Sequence, residues 1–179
     1  NSGIKAGDGE MIFFLDSDMV VKSDWIIQHL KVIGQNGVMG VIGETHLPKG
    51  QNPNKLDYYL YDLRRGARSF GEGIPLPFQY CLFNNTSIKR SVFDFTELFD
   101  ERITSYGGED TDMAIRLCQI FPDSLYFSFL PCSEHHHKRE FNDFCKSMYE
   151  YGENNLKLLI KKHPQFIANI GGEYIRTIK

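Results

Sequence analysis

Phe13-Phe14-Leu15-Asp16-Ser17-Asp18-Met19-Val20 reads as the end of a strand running into two carboxylates. Met11 to Leu15 is an unbroken apolar run of strand length, the pattern of a strand covered on both faces. In extended backbone Asp16 and Asp18 point to the same side. Two like charges there repel unless a cation sits between them or a turn separates them. In an open α/β sheet, ligands bind beyond the carboxyl ends of the strands, and hard oxygen donors in that place suit Mg2+ or Mn2+. The tripeptide is equally a polar turn ahead of a helix, and its spacing alone favours that plainer reading.

Working outward, Ser23-Asp24 is a good helix start, followed by Trp25, Ile26, Ile27, Leu30 and Ile33, with Gly34 and Gly37 as the stop. Val38 to Ile42 is a second strand-like run. The order strand, helix, strand predicts an α/β sheet with a crossover. Further along, the spacing predicts a helix over 54–65, with Leu56, Tyr59, Leu60 and Leu63 on one face, then a long loop over 66–77. It predicts a strand over 80–83, a short helix over 87–93, a helix over 109–121 and a last strand over 125–130. Helices packed on the outside follow over 141–162.

The chain has 179 residues, 41% hydrophobic and 24% charged, with a formal net charge of -3. That is enough for one domain with a core, and it argues against nucleic acid as the partner. The apolar runs are far short of the ~20 residues of a membrane span. Cys81, Cys118, Cys132 and Cys145 form no C-x-x-C pair and no zinc spacing, so they read as buried, unreactive thiols of a reducing compartment.

Two further constellations carry chemistry. Tyr106-Gly107-Gly108-Glu109-Asp110-Thr111-Asp112 places acidic residues at a helix N-terminus, where free N–H groups and the helix dipole tolerate them. Paired glycines allow a ligand close to the backbone, and a carboxylate crowded by others is pushed toward the pKa of a general base. Taken alone, the segment is equally an ordinary acidic first turn. Glu134-His135-His136-His137-Lys138 is the other; in extended chain His135 and His137 share a face and His136 opposes them. Arg64, Arg65 and Arg68 could meet a diphosphate or form a solvated face. His29, His46 and His163 read as structural.

The run Asn1 to Asp18, NSGIKAGDGEMIFFLDSD, resembles the segment leading into the D-x-D motif of GT-A glycosyltransferases, above all those of inverting family 2. Asn85-x-Ser87-Ile88-Lys89-Arg90, Phe99-Asp100-Glu101-Arg102 and the Gly107-Gly108-Glu109-Asp110 helix start, continuing to Asp112 and Arg116, look like the acceptor-side segments of the same family. The resemblance runs from Asn1 to about His163. It implies a Rossmann-like mixed sheet flanked by helices, representing the C-terminal portion of the full domain, with the opening strands and the pocket for the nucleotide base preceding Asn1. Within it, residues 1–45 would be the metal and nucleotide-sugar part, 46–140 the acceptor and catalytic part, and 141–179 the C-terminal helices.

The resemblance further implies transfer of a sugar from a nucleotide-diphosphate sugar, by default a UDP-sugar, to an acceptor hydroxyl with inversion. Asp110 would be the base and Glu109 its partner at the acceptor. Asp18 would bind Mn2+ or Mg2+, completed by His135 or His137. Asp16, Asn85, Tyr106, Gly107, Gly108, Asp112 and Arg116 would contact substrate; Tyr106 stands where many relatives carry Trp. The acceptor would be a glycan or a lipid-linked glycan in polysaccharide or glycoconjugate synthesis, in the cytoplasm or peripherally at the inner face of the membrane. A nucleotide-sugar-binding module without catalysis and a metal-dependent hydrolase are the alternative readings.

Overall fold

The computed structural model describes residues 1–62, 64–137 and 139–172. In chain order the elements are α1 (Ser2–Ala6), β1 (Met11–Leu15), β2 (Met19–Val21), α2 (Trp25–Ile33), β3 (Gly40–His46), α3 (Lys55–Leu60), β4 (Asn85–Lys89), α4 (Phe93–Thr96), α5 (Glu109–Ile120), β5 (Leu125–His135), α6 (Phe141–Glu153) and α7 (Asn155–Lys162). Short 3-10 turns lie at Ala67–Phe70, Phe78–Tyr80, Arg90–Val92 and Pro164–Ile170. The five strands form one mixed sheet in the order β1-β4-β3-β5-β2. β3 and β5 are parallel, and the other neighbouring pairs are antiparallel. Because β1 and β3 both run antiparallel to the strand between them, β1, β3 and β5 share one direction, and their carboxyl ends lie along one edge of the sheet.

Alternation along the strands separates two cores. Ile12 and Phe14 of β1, Ile42 of β3, Ile88 of β4 and Leu125 and Phe127 of β5 pack with Met113, Ile115 and Leu117 of α5 and Leu156 and Leu159 of α7. On the opposite face Val41 packs with Ile33 of α2 and Val38, joined by Met11 and Tyr126. Phe13 meets Trp25 and His29 of α2 at ring-centroid distances of 5.5 and 5.7 Å. β1 is thus covered on both faces, as its apolar run predicts. It is the sheet's edge among the described residues, which leaves it only half-buried.

Two expected elements are different. Of the strand expected over 80–83, Tyr80 ends a 3-10 turn and 81–83 are in no strand; the strand begins at Asn85. The helix expected from Ser87 begins only after that strand, at the turn Arg90–Val92. Asn85, Thr86 and Ser87 are polar yet fully buried, and their polar atoms find partners inside the fold, so a central strand is built from residues that read as loop. Asn85 accepts from Trp25 Nε1 at 2.8 Å and donates to the carbonyls of Glu44 and Pro131 at 2.8 and 2.9 Å. Ser87 Oγ lies 2.9 Å from His29 Nδ1. Burial holds His29 down at about 4, so the ring is neutral: Nδ1 accepts from Ser87, and Nε2–H donates to Asn85 Oδ1 at 3.2 Å.

The helix expected over 54–65 stops at Leu60, after a capping box in which Asn54 and Asp57 exchange bonds of 2.9 and 2.8 Å; Leu63 lies outside the described residues. β5 runs past Leu130 to His135, with an irregularity opposite Gly43 and Thr45 that leaves Phe129 and Leu130 exposed. The four thiols are free, and Cys145 is exposed rather than buried. No helix of the described residues is long and apolar enough to cross a membrane.

At that irregularity a Cβ on Gly43 would overlap the Pro131 carbonyl and the Asn85 amide. Neither can move without breaking the Asn85 bonds. Gly43→Ala is expected to lower stability by about 3 kcal/mol, the upper range for overpacking, read as a fall in the thermal unfolding midpoint.

Candidate active site

The turn after β1 is closed by a bond from Met19 N–H to Asp16 C=O of 3.1 Å. β2 then pairs with the end of β5, Met19 opposite His135, and His136 N–H donates to Asp18 C=O at 2.8 Å. This pairing carries Asp18 onto the histidine run. His135 Nε2 lies 3.2 Å and His137 Nδ1 3.5 Å from the same oxygen, Asp18 Oδ2. The two rings stack with centroids 5.7 Å apart, while His136 turns away to Glu134. Tyr61 Oη lies 2.7 Å from His135 Nδ1. Burial pushes the Tyr61 phenol up to about 12, so it stays protonated; its oxygen can still accept from Nδ1–H, the tautomer that leaves the Nε2 lone pair on the Asp18 side free for a cation.

A carboxylate oxygen beside two imidazole nitrogens is a mixed donor set that suits a transition-series cation such as Mn2+ better than Mg2+. Among the described residues no three His, Cys, Asp or Glu side chains are gathered as a complete metal site. The chemistry of Asp18, His135 and His137 fits part of a shell whose remainder would come from ligand oxygens and water.

Asp16 faces a cleft of about 740 Å³ together with Gly107, Gly108, Glu109, Asp110, Tyr61 and both histidines. Its carboxyl is raised by burial and by Asp18, with His135 opposing. Also lining the cleft, Gly107 and Gly108 take φ of +75° and +101°, a region that favours glycine. A Cβ on Gly108 would also press on Tyr151, Asn155 and Leu159 at 3.3 Å. Asn155 Nδ2 holds this bend by donating to the carbonyls of Ser105, Tyr106 and Gly107 at 2.8, 3.3 and 2.6 Å. The bend aims the first turn of α5 into the cleft.

Asp110 Oδ2 accepts from Phe83 N–H at 3.2 Å. Burial, then the neighbouring Glu109 and the more distant Asp16, push the Asp110 carboxyl up to about 7, against the pull of that bond. Glu109 Oε2 is buried with no partner among the described residues. A carboxyl poised near neutrality and an unsatisfied carboxylate oxygen beside it suit proton transfer and recognition of a hydroxyl donor.

Three residues expected to contact substrate do not reach the cleft. Asn85 is the buried amide that ties α2 to β3 and β5. Asp112 is fully buried and accepts from Arg116 Nη2 at 2.8 Å, Lys162 Nζ at 2.7 Å and His163 Nε2 at 2.8 Å. Arg116 also donates to the carbonyls of Thr96 and Leu98. Asp112 points inward because it lies two residues beyond Asp110 on α5, on a different side of the helix. Of the arginines, Arg64 lies side-on to Asp62 outside the cleft. Arg68 reaches the cleft wall but is held by Glu44 at 3.3 Å and by the carbonyls of Thr45 and Tyr61. His29 and His163 are structural, as the sequence predicts, and His46 pairs with Cys132 and Glu44. Tyr61 and Arg139, both in the cleft wall, escaped the sequence reading; an aromatic at a helix end and a lone arginine after a histidine run give no signal without tertiary contacts.

The comparisons with known proteins bear on the family and the fold. The profile described as Glycosyl transferase family 2 matches residues 1–95, more than half of the chain, which therefore belongs to that family. An uncharacterised glycosyltransferase of Bacillus subtilis (strain 168), YfnE, is 26% identical over 66% of this chain and 42% of its own. Among solved structures, mannosyl-3-phosphoglycerate synthase from Rubrobacter xylanophilus superposes with a TM-score of 0.55 at 12% identity, over 89% of this chain and 49% of its own. Glucosyl-3-phosphoglycerate synthase from Mycobacterium tuberculosis, in complex with Mn2+, UDP-glucose and phosphoglyceric acid, gives 0.53 at 15% identity over 88% and 51%. The fold is the GT-A fold of these enzymes, and the chain spans about half of their length or less.

The Asp112 cluster lends itself to a stability test. Burial opposes its charge, but the bonds from Lys162, His163 and Arg116 prevail and hold the carboxyl below its ordinary range. Asp112→Ala would leave those cations without their shared carboxylate, at a cost of about 3–5 kcal/mol. A depressed folded pKa contributes stability above the ordinary carboxylate range that is lost as pH falls through and below it. The gap in unfolding midpoint between wild type and Asp112→Ala is therefore expected to be full at pH 7 and to narrow toward pH 3.

Proposed function

We propose that this chain forms the metal and acceptor part of a nucleotide-sugar glycosyltransferase that acts with inversion. The observation that carries the reading is Asp110: a carboxyl raised to about 7, set in a cleft that also holds Asp16 and is lined by His135 and His137, the histidines that meet Asp18. Asp110 takes the proton of the acceptor hydroxyl as its oxygen bonds to the anomeric carbon. The bond from that carbon to the diphosphate breaks, and the diphosphate leaves toward the Asp18 side. Attack and departure on opposite sides of the carbon invert it. Glu109, with a free buried oxygen, accepts from a second acceptor hydroxyl; Tyr106, Gly107 and Gly108 bound the acceptor, and Asp16 the sugar and ribose. Asp18, His135 and His137 would hold a divalent cation, which would supply charge for the leaving diphosphate.

A UDP-sugar as donor and Mn2+ as cation are supported by the Mycobacterium tuberculosis enzyme, whose structure contains both. A glycan or lipid-linked acceptor, in polysaccharide or glycoconjugate synthesis, remains the acceptor class of this reading.

The test is release of nucleotide diphosphate from a panel of nucleotide sugars by the natural full-length polypeptide, with Mn2+ or with chelator. Release is expected to need both metal and acceptor. Asp110→Asn is expected to lower kcat by about 10²–10⁴-fold. Wild-type kcat/KM should rise with pH through about 7 as Asp110 loses its proton. A raised folded pKa stabilises the fold below the ordinary carboxylate range, and that contribution is lost as pH climbs through about 7, so Asp110→Asn should unfold no earlier than wild type at pH 8. Nucleotide binding without turnover would point to a binding module, and sugar release that no acceptor accelerates would point to a hydrolase.

A further inference from the structure

Arginines in and beside the cleft fall into two kinds. Arg64 and Arg68 are neutralised by Asp62 and Glu44 at 2.7 and 3.3 Å. Arg65 and Arg139 also line the cleft, but among the described residues neither is in ion-pair contact with a carboxylate. Each is laid against a tyrosine instead. The Arg65 guanidinium carbon stands 3.5 Å over the Tyr59 ring. That of Arg139 lies 5.5 Å from the Tyr106 ring centroid, with Nη1 donating to Tyr106 Oη at 2.9 Å. Stacking fixes the plane of a guanidinium while leaving most of its N–H edge open, the arrangement that receives an oxyanion in the plane of the fork.

The position of Arg139 favours the acceptor over the donor. Tyr106 leads directly into Gly107-Gly108-Glu109-Asp110, the acceptor wall of the reading above, while the donor's diphosphate would have a cation of its own at Asp18. A cleft that already holds Asp16, Glu109 and Asp110 would repel an anionic acceptor unless positive charge faced it, and Arg65 and Arg139 supply that charge.

We propose that Arg65 and Arg139 form an oxyanion clamp selecting an acceptor that carries a phosphate or carboxylate group beside the hydroxyl that is glycosylated. This rests on the acceptor assignment of the proposed function. Tyr59 and Tyr106 are the positioning residues that hold the two guanidinium planes.

The experiment uses the natural full-length protein and measures two bindings separately by calorimetry. The first is binding of glycerol 3-phosphate and of glucuronate with chelator present, against the neutral controls glycerol and glucose. The second is binding of UDP with Mn2+. Wild type is expected to bind at least one anion and neither neutral control. Arg65→Gln and Arg139→Gln are each expected to weaken anion binding about tenfold or more, leaving UDP–Mn2+ binding within about twofold. Preference for glycerol 3-phosphate marks a phosphate acceptor, and preference for glucuronate marks a carboxylate acceptor. The clamp is overturned if wild type binds neither anion, if the variants bind anions as wild type does, or if they lose UDP–Mn2+ binding and keep the anions. Failure of wild type to bind UDP–Mn2+ while the arginine-dependent anion binding persists would instead sink the glycosyltransferase reading and with it the acceptor role of the clamp, leaving an arginine-dependent anion site. Unchanged circular dichroism and unfolding midpoints, expected for two side chains with no core contacts, show that the variants are folded.

Discussion

The pairing of Met19–Val21 with Ser133–His135 is the contact on which the site depends. Three residues of β2 bond to the last turnless stretch of a long strand, and that short ladder places Asp18 against His135 and His137, which stand 117 and 119 positions away in the chain. Without it, the aspartates after β1 would be a solvated turn. The pairing works because β5 does not stop where its apolar run ends but continues past Pro131 toward the sheet edge where β1 and β3 also finish. A sheet whose parallel strands end together brings their following residues together, whatever lies between them in sequence.

The opposite wall is held by a different kind of interaction. Asp110 and Glu109 are exposed to the cleft only because Gly107 and Gly108 adopt left-handed backbone, fixed by the Asn155 amide, and because Asp112 anchors the next turn of α5 in a cluster of cations. These contacts draw on α7, so the C-terminal helices do more than cover the core: they set the aim of the acidic turn. The raised Asp110 and the lowered Asp112, two residues apart on one helix, show how position alone divides like side chains. One is buried beside a carboxylate and has its pKa pushed up toward neutrality; the other is buried against cations and stays a fixed anion.

Much of this was legible from residue pattern. The apolar run of β1, the α2 crossover and the periodicity of α5, α6 and α7 announced an α/β sheet with flanking helices. The D-x-D and G-G-E-D segments located both walls of the cleft. The expectations that went astray share a cause. Asn85, Thr86 and Ser87 have polar side chains, so pattern placed a strand before them and a helix start upon them, whereas buried partners on α2, β3 and β5 allow them to be the middle of the sheet. Asp112 and Arg116 sit beside catalytic-looking residues, so resemblance assigned them to substrate, whereas helical geometry turns them to the core.

By itself, the sequence determined the class of fold and the chemical types at the site, because hydrophobic period and local motifs are properties of neighbouring residues. Only the tertiary structure decided which carboxylates meet a histidine, which meet a cation and which are buried beside another carboxylate. It alone separated Arg65 and Arg139 from Arg64 and Arg68. Charge state and reactivity depend on desolvation and on partners distant in the chain, and those are created when the strands align and the helices close over them.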